Sequence, residues 1–166
     1  YTNRPAGSYG PVFQTQQTEP GRIIQAAGMT GNQSMRILHI LSQMPDFTGS
    51  GKTVQAILRQ ARARHHENLL VAGIQDGFEP DPGLSASARM RFVRFNGGDL
   101  DFPLPGMSNV MPYESTVFSE MTSGALGQYR QAFTERLEQV KADFNPDIVH
   151  SHHIWIVSAI ARTVFR

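Results

Sequence analysis

The chain has 166 residues, 15 Lys and Arg against 14 Asp and Glu, a net charge of +1 and no cysteine. That length suits one domain of ordinary size. The near-neutral charge provides no global basic field and argues against nucleic acid as a partner. The lack of cysteine excludes disulfides, thiolate metal sites and cysteine nucleophiles, and fits a cytoplasmic setting. No apolar run approaches the roughly 20 residues of a membrane helix.

Residues 1–34 are rich in Gly, Pro, Gln, Thr and Ser, with no sustained apolar period. They have neither the basic start nor the apolar core of a secretory signal. Such a composition does not bury enough surface to offset its ordering entropy, so a disordered or non-native extension is expected. The folded domain is expected to start near Met35 and to run to residue 166. The chain opens on Tyr1 and stops inside a helical pattern, which reads as a fragment open at both ends.

Residues 36–42 form a near-continuous apolar run, the mark of a strand buried on both faces. The following loop, residues 43–51, carries Pro45, Gly49 and Gly51. Val54, Ile57, Leu58 and Ala61 then fall on one face of a helix that ends near Arg64. NLLVAGI at 68–74 is a second buried strand, and RFVRF at 91–95 is a short third strand after the turn-rich EPDPGLS. Residues 96–122 are expected to be a long loop; Phe102, Met107, Met111, Tyr113 and Phe118 suit a packed, binding-type loop. Residues 123–144 are a long helix with Leu126, Tyr129, Phe133, Leu137, Val140 and Phe144 on its face, stopped by Asn145-Pro146. DIVHS at 147–151 is the fourth strand, again read as buried, and 154–165 the next helix. Alternation of this kind implies an α/β fold: a Rossmann-like open parallel sheet with helices on both faces.

Two motifs carry chemistry. FTGSGKT ends in the Gly-Lys-Thr of a phosphate-binding P-loop, but the first glycine of that motif should stand at residue 46, which is Asp46. A side chain there obstructs the wrap around a phosphate, and a carboxylate repels it. What survives is Gly49-Ser50-Gly51 opening a helix, whose N-terminus favours anions. The second motif is VHSHHIW at the carboxyl end of the fourth strand. In the usual doubly wound order the first and fourth strands flank the switch point where ligands bind, so both motifs should face one crevice. His150 and His152 have HxH spacing, but no third ligand or carboxylate is evident, and no metal is expected. Hydrogen bonding to a polar ligand is the favoured role. The blander reading has His150 buried, His153 capping the next helix and Trp155 in the core.

MRILHILSQMPDFTGSGKTVQAILRQ and PDIVHSHHIWIVSAIAR together resemble the N-terminal half of GT-B glycosyltransferases of family 4, and PGMSNVMPYESTVFSEMT is similar to a loop in a bacterial subset. The resemblance spans about residues 35–166. It implies retaining transfer of a sugar from a nucleotide-sugar, as donor substrate with no cofactor, to a glycan, lipid-linked or small-molecule acceptor. It also implies a cytoplasmic enzyme, peripheral at the inner membrane face where the acceptor is lipid-linked. By the same resemblance Gly49, Ser50 and Gly51 face the donor diphosphate. His150, His152 and His153, with Met107 and Tyr113, lie at the acceptor side of the cleft. Catalytic residues and a C-terminal partner domain are expected beyond residue 166, so the fragment alone should not catalyse transfer. The alternatives are a P-loop-like ATPase or kinase, and a non-catalytic Rossmann-like module for nucleotides or sugar phosphates.

Overall fold

The computed structural model describes residues 33–108 and 110–166. The extension expected at 1–34 lies outside these apart from its last two residues, which are exposed; Ser34 donates through Oγ to the His65 carbonyl. The core is a four-stranded parallel sheet of β1 (Arg36–Leu41), β2 (Glu67–Gln75), β3 (Arg89–Phe95) and, fourth in this sheet, β6 (Ile148–Ser151), in the order β3-β2-β1-β6. Helices cover both faces, as expected. The α1 helix (Gly49–Ala63) and the short α2 (Pro82–Ser87) lie on one; α3 (Ser123–Asp143) and α4 (Ile156–Val164) lie on the other.

The β1 and β2 strands are mainly apolar because both are interior: Leu38, Ile40 and Leu41 pack beside Leu69, Leu70, Val71 and Ile74. Each such side chain contributes about 1.5–3 kcal/mol on burial. The α3 helix lays Tyr129, Phe133, Leu137 and Val140 on the sheet; the Phe95 ring lies 6.1 Å from Tyr129 and 6.4 Å from Phe133. It ends where Asn145 turns to positive φ before Pro146. Among the described residues, no helix is long and apolar enough to cross a membrane.

Three elements differ from expectation. EPDPGLS opens α2, which is only six residues long and therefore shows no helical period; Asp81 caps it, accepting from Gly83 N–H, and Pro82 is its first residue. The long loop contains a small parallel pair, β4 (Leu104–Gly106) and β5 (Ser115–Val117), followed by a 3-10 turn at Phe118–Glu120. It is anchored at the sheet's carboxyl end. Gly73 has no Cβ because Leu104 Cδ1 would stand 2.7 Å from one, and Gln75 donates through Nε2 to the Glu114 carbonyl.

The third correction concerns β6. It is the edge of the described sheet, and it is not buried on both faces: Ile148 and His150 are exposed, while Val149 and Ser151 face α4 and are half-buried. No described element packs over the outer half of the sheet on the α1 side. At its start β6 is tied to β1 by Asp147, whose carboxylate accepts from Arg36 N–H at 2.7 Å and from Arg36 Nη2 at 2.9 Å. These bonds hold the Asp147 carboxyl below its usual range.

Phe133→Ala should lower stability by about 3–5 kcal/mol, because the ring is fully buried between sheet and helix. Urea unfolding followed by circular dichroism measures this loss.

Candidate functional site

Adjacent β1 and β6 place the switch point between them: from β1 the chain builds outward through β2 to β3, then returns to add β6 on the other side. The glycine turn leaves the end of β1, and the histidine turn leaves the end of β6. Ser42 joins them, since its Oγ lies 3.1 Å from His153 Nδ1. The next residue, Gln43, accepts through Oε1 from Ser50 Oγ at 3.2 Å. Two consecutive residues at the end of β1 therefore tie one to the histidine turn and the other to the first turn of α1.

The α1 N-terminus is built by Thr48. Its Oγ1 accepts from Gly51 N–H at 3.0 Å, and its carbonyl accepts from Lys52 N–H. Gly49 and Ser50 N–H are then the first-turn donors left for a ligand. The two glycines have different tasks. Gly49 is exposed, with open space around it, at the carboxyl end of the sheet. Gly51 is buried, and a Cβ there would stand 2.2 Å from the Pro45 carbonyl oxygen, so its glycine serves the close approach of loop and helix. Of the expected diphosphate loop, Gly49 and Ser50 are presented and Gly51 is structural.

Asp46, which stands where a P-loop has its first glycine, is tied into the same loop. Asp46 accepts from Gln55 Nε2 at 2.8 Å and from Asp81 N–H at 3.4 Å, so its carboxylate holds the β1–α1 loop to α1 and to the α2 cap. Lys52 points into solvent from the first turn.

The histidine turn continues the ladder, with His152 N–H donating to the Ile40 carbonyl at 2.9 Å. The His153 carbonyl accepts from the Ser151 and Ser158 hydroxyls. His153 does not cap α4; Trp155 occupies that position without a side-chain bond, half-exposed, with its ring 5.9 Å from Phe118. His150 is exposed because its edge strand is open on that face. Burial pushes the His153 imidazole below its ordinary range.

Sequence reasoning missed His39. It lies in the middle of β1, 1% exposed, and pairs in register with His150. His39 Nδ1 is 3.3 Å from His152 Nε2, and its Nε2 is 3.4 Å from Asn68 Oδ1. One nitrogen from each of His39, His150 and His152 lies within 4.8 Å of the others. Burial lowers His39 to about 4 and His152 to about 3, with the neighbouring imidazoles adding to both. The signal was present: MRILHILS and PDIVHSHH each carry histidine at the same depth, and parallel alignment from the strand starts brings His39 beside His150.

The remaining expected residues separate. Tyr113 packs toward the β1–α1 loop, with its hydroxyl buried near the Met44 backbone, outside normal hydrogen-bond geometry. Burial pushes its phenol up to about 12. Met107 is exposed on the segment after β4 and has no described contact with the histidines. A groove of about 980 Å³ runs between α3 and α4, lined by Trp155, Ile156 and Ile160 among others, away from the crevice.

Gly51→Ala should cost about 1–3 kcal/mol by overpacking against Pro45, whereas Gly49→Ala should leave the thermal midpoint nearly unchanged; calorimetry of both variants separates the roles. His39 and His152 take up protons more readily unfolded than folded. Their contribution is therefore full above pH 6.5, the ordinary histidine value, and is lost as pH falls toward about 4 for His39 and about 3 for His152. Urea midpoints measured across that window should fall, and His39→Leu should flatten the decline.

No protein-family model matches the chain, and comparison with curated proteins gives no match.

Proposed function

We propose that this chain is the acceptor-side domain of a retaining GT-B glycosyltransferase of family 4, which moves a sugar from a nucleotide-sugar to a glycan, lipid-linked or small-molecule acceptor. The observation that supports this reading is the meeting of two turns at one switch point. Gly49 and Ser50 present free first-turn donors, and His153 is held to Ser42 beside them.

Glycosyl transfer passes through an oxocarbenium-like state while negative charge develops on the leaving diphosphate. Backbone N–H groups at a helix start favour that charge and need no reorganisation as it develops. The Thr48 cap and the Gln43–Ser50 bond hold these donors in place before a ligand arrives. The histidine turn offers imidazole donors and acceptors to acceptor hydroxyls on the other wall. In this reading the nucleotide is held chiefly by a second domain, and the setting is the cytoplasm, at the inner membrane face when the acceptor is lipid-linked.

Titration of the chain with UDP, GDP, ADP and their sugar conjugates, followed by amide NMR, should shift the Gly49 and Ser50 resonances with weak affinity, on the order of 1 mM. ATP should not be hydrolysed. Unshifted Gly49 and Ser50 resonances, or tight Mg²⁺-dependent ATP binding abolished by Lys52→Ala, would overturn the proposal.

A further inference from the structure

We propose that His39, His150 and His152 form a binding site for a divalent transition ion of the zinc class. Three strand positions converge on it: His39 from the middle of β1, His150 beside it in register on β6, and His152 from the turn that follows. The geometry is close to what such an ion requires. A tetrahedral zinc with bonds of about 2.0–2.1 Å sets its ligand nitrogens about 3.3–3.4 Å apart. His39 Nδ1 and His152 Nε2 are already separated by 3.3 Å. With a nitrogen of His150, whose side chain is exposed, one nitrogen from each of the three residues lies within 4.8 Å of the others.

A supporting shell is also present. Asn68 Nδ2 donates to the Leu58 and Ser87 carbonyls, which directs Asn68 Oδ1 at His39. Oδ1 therefore accepts from His39 Nε2–H, and the lone pair falls on Nδ1, the atom facing His152. A partner on the second ring nitrogen is the usual means of orienting a ligating histidine. A buried imidazole in β1 between Leu38 and Ile40 is otherwise hard to account for, because an aliphatic residue would fill that position without desolvating a polar ring.

Three imidazoles and no carboxylate select zinc, cobalt, nickel or copper over magnesium or calcium. With three protein ligands, one of them on the exposed sheet face, the fourth position opens to solvent and can take water or a ligand oxygen or nitrogen. The site does not depend on the glycosyl-transfer reading.

The test uses the untagged chain, stripped of metal and titrated with Zn²⁺ by calorimetry and with Co²⁺ by visible absorption. One equivalent should bind, insensitive to excess Mg²⁺, with the intense Co²⁺ bands of a tetrahedral site. His150→Ala should weaken binding at least about 100-fold, a loss no smaller than that from removing an outer-shell partner; its exposure means the fold should survive. His65→Ala, at the end of α1, should change nothing. His39→Ala should also abolish binding, and circular dichroism tells loss of ligand from loss of fold. Absence of saturable binding, or unchanged affinity in His150→Ala, would show a neutral hydrogen-bonded His39–His152 pair only and would overturn the proposal.

Discussion

The structure depends on β1 being hydrogen-bonded along both edges and buried on both faces. A strand in that position needs β2 on one side and β6 on the other, and the connections run outward in opposite directions from it. The reversal opens a crevice at its carboxyl end that no single crossover covers. Ser42, Gln43 and the start of α1 all follow from where β1 stops. The Arg36–Asp147 clamp sets the register of β6 at the opposite end, and with it the pairing of His39 with His150.

The sheet was legible because interior parallel strands leave mainly apolar runs without alternation, as in RILHIL and NLLVAGI. The long period of α3 was equally plain. The burial of β6 was not: DIVHS contains the same residue types whether one face or two are covered, and only the neighbouring elements decide. The parallel pair Leu104–Gly106 and Ser115–Val117 has three-residue strands, too short for any alternation to register. His39 was hidden by its own setting, since one polar residue in a buried run carries no period. Its significance appears only when the register with β6 is drawn.

The glycine turn shows how a motif can mislead within a correct region. Gly49, Gly51 and Lys52 suggest a phosphate cradle when read together, yet each does something different. Gly51 is fixed by the Pro45 carbonyl, Lys52 is solvated, and Gly49 alone borders open space. Asp46, which spoils the nucleotide-hydrolase pattern, holds the same loop together through Gln55 and Asp81. The feature that breaks the motif thus helps to position the helix start that remains available.

The Arg36–Asp147 contact joins residues 111 positions apart. Closing a loop of that span costs about 4 kcal/mol of chain entropy by the logarithmic law. The β1–β2 and β2–β3 pairings join residues much nearer in sequence, so the β1–β6 ladder is a natural late event in folding. The crevice and the histidine cluster exist only once that ladder has closed. Occupancy of either therefore reports completion of the whole domain, and a ligand there stabilises the entire fold by mass action.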